Sequence, residues 1–354
     1  MIFSALRPLR ILFTLLLALT VASATRAELV WNPSTGWSIE GGALSGLVGA
    51  DARNALDLMN RARGAEEDGS NSTAMRLYKR ITNRYPNSIY SPEAYFRIAK
   101  IRLDREQYYK AFEAYQEIMS RYPNTERFNE VLGEQYRIAT ALLEGARNHV
   151  WGVIPTFRSK ERAITYFEWI VANAPYNDYA PLALMNVART HQQLRNTALA
   201  IYALDRLINN YPQSLLAPDA YIRLAETHAS LVDGPNYDQE STREAITYFE
   251  DFMILFPEDG NLASAEEGLN EMRSVLAESK MRIADYYMDK SHNLKGARVF
   301  YNEAITTYPD SEVASRARER LDRIDAIEAA EEASEAGNAT AENNGGRKKF
   351  LGLF

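Results

Sequence analysis

Four histidines, His149, His191, His228 and His292, are the residues best suited to hold a metal or move a proton, and their spacing argues against both. None has a metal-type partner four residues on, and each falls in a different segment of a regular pattern. With no cysteine in 354 residues, thiolate metal sites, thiol nucleophiles and disulfides are excluded. The acidic pairs Glu66-Glu67 and Glu266-Glu267 read as solvated helix faces and helix N-terminal charge rather than general acid–base pairs. Gly42, Gly46 and Gly49 form no phosphate loop, because no Gly-Lys-Ser/Thr follows them. Asn71-Ser72-Thr73 is a glycosylation sequon by pattern alone. The chain therefore reads as a non-enzyme with no cofactor and no metal. What remains is binding chemistry, in which tyrosine and arginine serve as anchors for an extended peptide; Tyr95, Arg102 and Tyr136 stand out. The more ordinary role for Tyr95 and Tyr136, which recur at equivalent places in the pattern, is packing between helices.

The elements that would position these residues follow from one phrase written six times. Pro86, Pro123, Pro175, Pro212, Pro257 and Pro309 each follow, by twelve residues, an alanine: Ala74, Ala111, Ala163, Ala200, Ala245 and Ala297. Eight before the prolines stand Tyr78, Tyr115, Phe167, Leu204, Phe249 and Tyr301, and an aromatic usually comes immediately before. Offsets of four and eight put these side chains on one helical stripe, which the proline ends. The alanine is small because a neighbouring helix must come close there. After the prolines, Asn87-Ser88, Asn124-Thr125, Gln213-Ser214 and Asp310-Ser311 read as caps for a second helix. That helix carries its own phrase: Tyr95-Phe96-Arg97-Ile98-Ala99, Tyr136-Arg137-Ile138-Ala139, Tyr221-Ile222-Arg223-Leu224-Ala225 and Met281-Arg282-Ile283-Ala284.

The spacing predicts first helices near 51–66, 91–104, 127–147, 179–193, 217–231 and 263–289, and second helices near 72–85, 107–122, 159–174, 196–211, 241–256 and 294–308. A last helix is expected over about 311–334. Proline spacings of 37, 52, 37, 45 and 52 vary a base period of the tetratricopeptide (TPR) kind. The fold class is thus all-α, a TPR-type α-solenoid of about six helix pairs plus a C-terminal helix, spanning 51–335. Extra length falls at 145–159 in the third repeat and around Asp233-Gly234-Pro235-Asn236 in the fifth, and it lengthens the first helix of the sixth; such insertions are expected contact points.

Both ends depart from this pattern. Arg7 and Arg10 precede an apolar run over 11–22, and Thr25-Arg26-Ala27 is an acceptable cleavage site, so 1–27 reads as a signal peptide and the protein as exported. Removing it takes away three arginines and moves the net charge from −7 to −10, which argues against nucleic acid as a partner. Residues 28–50 form an extended lead-in whose Trp31 and Trp37 are expected to dock, most simply on the first repeat. Residues 336–354 read as a disordered linker ending in a basic-aromatic segment; Lys348, Lys349, Phe350, Leu351 and Phe354 could dock on a membrane surface or a partner.

The export signal and the repeated phrase are similar to those of periplasmic TPR proteins. The third-repeat segment from Glu134-Gln135-Tyr136 through His149-Val150-Trp151-Gly152 to Arg158-Ser159-Lys160-Glu161-Arg162-Ala163 is more specific. So is the sixth repeat, from Leu276-Ala277-Glu278 to Tyr308-Pro309-Asp310-Ser311. Over about 51–325 these resemble the BamD family, the TPR subunit of the outer-membrane β-barrel assembly machinery. The resemblance implies a scaffold at the periplasmic face of the outer membrane, with a POTRA-containing barrel subunit as partner and unfolded outer-membrane proteins as clients. It also implies that the turn Asp289-Lys290-Ser291-His292 meets the POTRA domain nearest the barrel, with Lys290 as the basic contact and His292 beside it. Clients would use the first three repeats. Family members are usually anchored through a lipidated cysteine, which this sequence lacks, so peripheral association through Trp31, Trp37 or the tail is the expected substitute. A Tol–Pal-associated TPR adaptor shares the 37-residue repeats, but that family adds an N-terminal coiled coil, and no heptad run occupies 28–50.

Overall fold

The computed structural model describes residues 28–40 and 50–350, with side chains described over 29–39 and 50–335. The described elements are β1 (Glu28–Asn32), β2 (Gly36–Glu40), α1 (Ala50–Glu67), α2 (Asn71–Arg84), α3 (Tyr90–Leu103), α4 (Tyr108–Arg121), α5 (Phe128–Leu143), β3 (His149–Val150), β4 (Ile154–Pro155) and α6 (Lys160–Asn173). There follow α7 (Tyr179–Gln193), α8 (Thr197–Asn210), α9 (Ala217–Ala229), α10 (Glu240–Leu255), α11 (Leu262–Asp289), α12 (Leu294–Thr307) and α13 (Glu312–Phe350). The fold is all-α with TPR-type helix pairs, α1/α2 through α11/α12, and a closing helix. Two compact units divide the chain, residues 1–183 and 184–354.

The repeated phrase does what its spacing implies. All six signature alanines are fully buried, and Tyr78, Tyr115, Phe167, Leu204, Phe249 and Tyr301 are buried one turn later. The residues before the prolines leave helical geometry together: Tyr85, Tyr122, Ala174, Tyr211, Phe256 and Tyr308 share φ between −129° and −147° and ψ between 52° and 83°. Proline forces this, because its ring disfavours helical ψ in the residue before it.

The polar residues after the prolines correct one expectation. Ser88, Thr125, Asn177, Ser214, Asp259 and Ser311 each donate a backbone N–H to the carbonyl three residues back, closing a turn with proline at its second position. Ser88 and Ser311 also donate their hydroxyls to Tyr85 O and Tyr308 O at 2.7 Å each. Ser311 additionally accepts from Ala314 N–H at 3.0 Å, whereas α3 has no side-chain N-cap. The residues expected as caps act first as turn closers, because the sharp exit at proline leaves a carbonyl that needs a donor nearby.

Inside the pairs, the turn from first to second helix carries no common mark in the sequence. Every one contains a left-handed residue: Gly69, Glu106, Gly145, Arg195, Gly234 and His292. At the end of α7, Asn196 N–H donates to His191 O at 2.9 Å and Arg195 N–H to Gln192 O at 3.0 Å, the paired bonds of a Schellman stop. Glycine usually occupies that position, since a Cβ there costs about 1–2 kcal/mol. Arg195→Gly is expected to stabilise the protein by about 0.5–1 kcal/mol after the greater unfolded-state freedom of glycine is subtracted. A urea midpoint that stays put or falls would contradict this.

Three boundaries differ from expectation. The first helix of the third repeat stops at Leu143 rather than 147, because Gly145 turns left-handed (φ +100°) and closes a Schellman stop with Ala146 N–H on Ala141 O. The extended lead-in is a two-stranded antiparallel hairpin over 28–40, with Trp31 opposite Trp37. The backbone of α13 stays helical to Phe350, in place of the expected break near 335 and disordered linker. The sequence up to 336 is rich in alanine and glutamate, which are good helix formers, and Gly337, Gly345 and Gly346 cost only about 1 kcal/mol each in a helix.

Candidate functional site

Binding features are found in the first unit, on α2, α3 and α4 and along the edge of α1, α3 and α5. A cleft of about 400 Å³ opens between the first three, with Tyr95, Ile98 and Arg102 on α3, Lys79 on α2, and Glu113 and Glu117 on α4. Tyr95 is half-buried and leans on Tyr122, ring centroids 6.3 Å apart. Arg102 donates to Lys110 O at 2.7 Å, which holds its guanidinium across the α3–α4 turn. Burial lowers the Arg102 pKa, and the Glu113 carboxylate offsets part of that. Two cations, two carboxylates and an aromatic face around a shallow cleft suit an extended peptide, whose backbone and side chains both need partners.

Tyr95 and Arg102 are therefore brought together, and Tyr136 is not with them. Its ring packs on Phe167 (5.6 Å) and Tyr179 (5.2 Å), the inter-helix role that its recurrence in the repeats suggests.

The other edge holds a network that the sequence reading missed. Glu93, almost wholly buried, accepts from Arg97 Nε and Arg127 Nε, each at 2.7 Å. Arg97 reaches Glu66 at 3.8 Å, and Glu66 also pairs with Arg63 at 3.2 Å and accepts the Tyr78 hydroxyl at 2.8 Å. Burial would lower the Arg97 pKa, but Glu93 and Glu66 outweigh it and raise it; burial and Glu66 together push the Tyr78 phenol up. Glu66 is thus no solvated-face residue, which corrects its reading with Glu67; the pair Glu266-Glu267 is exposed, as expected. Separation in sequence hid the network, since Glu66, Glu93 and Arg127 belong to three different segments of the chain. The same edge carries the N-terminal hairpin. Trp37 N–H donates to Asn60 Oδ1 at 2.7 Å, Arg63 lies 5.1 Å over Trp31, and Arg97 lies 5.7 Å from the Trp37 ring centre. The two tryptophans dock on their own first repeat.

In the second unit the turn between α11 and α12 exposes Lys290, Ser291 and His292. His292 has φ +50°, and Asn293 caps α12 by accepting from Gly296 N–H at 2.9 Å. The turn is therefore held firmly while its basic side chains face solvent. Nearby, the fifth-repeat insertion meets α11 through Arg282, which donates to Asn236 Oδ1 at 2.7 Å beside exposed Tyr237 and Tyr286. His228 stacks on Tyr248 (5.4 Å), whose hydroxyl donates to Asp205 at 3.0 Å. Lys348, Lys349 and Phe350 lie at the end of α13, where side chains are not described, and Leu351 and Phe354 lie outside the described residues. Among the described residues no cluster of metal-ligating side chains occurs, and no helix is long and apolar enough to cross a membrane.

A family model described as outer membrane lipoprotein (YfiO) matches residues 157–298. A second, for the tetratricopeptide repeat, matches residues 93–125. A curated relative is the outer membrane protein assembly factor BamD of Caulobacter vibrioides, 24% identical over 132 residues. The YfiO match and this relative show what the chain is similar to, each over less than half of its length. The alignment with the Caulobacter BamD covers 37% of this chain and 43% of that protein. Among solved structures, a tetratricopeptide repeat protein from Parabacteroides merdae is 13% identical, covering 77% of this chain and 99% of that one, with a TM-score of 0.30. MamA from Desulfovibrio magneticus is 16% identical over 60% of this chain and 99% of that one, with a TM-score of 0.29. The YfiO match therefore begins just before α6 and ends in α12, across the exposed Lys290 turn.

Proposed function

We propose that this chain is a non-catalytic TPR scaffold of outer-membrane β-barrel protein assembly, working on the periplasmic side of the outer membrane. Its α11–α12 turn, through Lys290 with His292 beside it, engages a POTRA-containing barrel subunit. The Tyr95–Arg102 cleft receives extended segments of unfolded outer-membrane clients. The observation that carries this reading is the YfiO match, which runs through the turn that exposes Lys290. An exposed ammonium on a firmly capped turn suits an acidic partner surface, because the backbone that carries it needs no ordering on binding.

Lys290→Glu is expected to lower capture of the POTRA-containing subunit from native outer membranes at least about tenfold, since it replaces attraction by like-charge repulsion. Far-UV circular dichroism and melting should be unchanged, because the side chain is exposed. Undiminished capture by the variant would refute the role of Lys290. Recovery of the protein wholly free in the periplasm, with no barrel subunit co-purifying, would refute the assembly role.

A further inference from the structure

The third-repeat insertion is used by none of the features above, and it exposes the densest apolar cluster among the described residues. Trp151, Val153, Ile154 and Phe157 are 74%, 72%, 51% and 94% exposed within seven residues. Soluble surfaces rarely concentrate large apolar groups in this way unless something covers them.

The insertion is a built structure. His149 N–H donates to Glu106 O and Thr156 N–H to Asn148 O, both at 2.8 Å. Buried Asn148 accepts from Tyr109 N–H at 3.1 Å through its side chain. His149 Nδ1 lies 2.8 Å from Glu106 Oε2. Strands β3 and β4 pair His149 with Pro155 and Val150 with Ile154. At the tip, Trp151 (φ +56°) and Gly152 (φ +79°) are both left-handed, and a Cβ on Gly152 would come within 3.2 Å of Arg105 Cβ. A bulky aromatic is a costly occupant of left-handed backbone, so the fold holds Trp151 outward against a local penalty.

Charge points to what covers the tip. From Gly145 to Arg162 the chain has four basic residues, Arg147, Arg158, Lys160 and Arg162, against one acidic residue, Glu161, within a chain of net charge −7. Arg147, Arg158 and Arg162 are exposed. Two carboxylates lie near, Glu106, whose Oε2 stands 2.8 Å from His149 Nδ1, and Glu144 at the end of α5. Tryptophan, phenylalanine and branched aliphatics flanked by arginine match the layered chemistry of a bilayer interface, apolar beneath an anionic headgroup layer.

We propose that the β3–β4 hairpin is a membrane-docking element that inserts Trp151, Val153, Ile154 and Phe157 into an anionic phospholipid surface, with Arg147, Arg158 and Arg162 on the headgroups. This does not depend on the BamD-family reading.

The test uses the whole chain with vesicles of phosphatidylethanolamine and phosphatidylglycerol, and with phosphatidylcholine vesicles for comparison. The protein is expected to co-float with the anionic vesicles and to release as salt is raised. Replacing Trp151, Val153, Ile154 and Phe157 together by serine should weaken this at least about tenfold, as should Arg147→Gln with Arg158→Gln and Arg162→Gln. Vesicles carrying brominated acyl chains report independently of the apolar segment at 11–22: they should quench the wild-type tryptophan emission, and Trp151→Phe should remove most of that quenching. Circular dichroism of each variant checks that the helices are intact. Quenching that is absent in the wild type, or equal in Trp151→Phe, overturns the proposal. So does loss of a co-purifying protein from the serine variant while its vesicle binding is unchanged, which would make the hairpin a protein interface.

Discussion

Phe249→Ala is expected to destabilise the protein by about 3–5 kcal/mol, the usual cost of emptying a fully buried aromatic site. Phe249 is the signature aromatic of the fifth repeat and lies in a cluster with Phe252, Leu269 and Met272. Gly268 on α11 faces it so closely that a Cβ there would stand 2.5 Å from Phe249 Cζ. Gly268→Leu should therefore cost about 1–3 kcal/mol by overpacking. The two effects share one space. In the double variant the introduced leucine side chain enters the volume that Phe249 vacated, and the loss should fall short of the sum by about 1–3 kcal/mol. Urea unfolding of the four proteins measures this coupling; strict additivity would mean that the ring and the glycine do not meet in solution.

Glu93→Ala should cost about 2–3 kcal/mol by leaving Arg97 and Arg127 without their shared carboxylate. That is somewhat below the ~3–5 kcal/mol seen when a fully buried pair loses one member. The discount reflects Arg127, whose side chain is 37% exposed and can recover water. The control is Asp57→Ala: the Asp57–Arg61 pair, 3.5 Å apart, has both side chains 64% exposed, and its loss should be within about 0.5 kcal/mol of neutral. If both substitutions change the urea midpoint equally, the Glu66–Arg97–Glu93–Arg127 network is no more than a surface arrangement.

The two features proposed to bind, the Tyr95–Arg102 cleft and the Trp151 hairpin, differ in how openly the sequence displays them. Tyr95 and Arg102 are seven residues apart on one helix, so helical periodicity alone places them near one stripe, and they do share a cleft. Tyr136 carries the same local signature as Tyr95, yet it packs against Phe167 and Tyr179. A single-helix pattern cannot tell the two apart, because the difference lies in which rings the neighbouring helices supply. Glu66 escapes a sequence reading for the same reason: its partners Arg97 and Tyr78 lie on other helices. The Trp151 hairpin gives no periodic signal, since two-residue strands are too short to alternate and the element depends on bonds to the α3–α4 turn.

The repeated alanine, aromatic and proline were sufficient by themselves for the helix pairs, their order and most of their boundaries, because each acts through its own turn of backbone. Steric demand of the small residue, burial of the ring and the restriction before proline are local effects, and local effects are written in spacing. Tertiary structure alone decided which tyrosines face solvent, which carboxylates are buried among arginines, where the turns go left-handed without glycine, and that the third insertion becomes a fixed apolar hairpin. Those outcomes depend on groups far apart in the chain meeting at a few ångströms, where burial and charge pairing are settled by the neighbours and not by the residue itself.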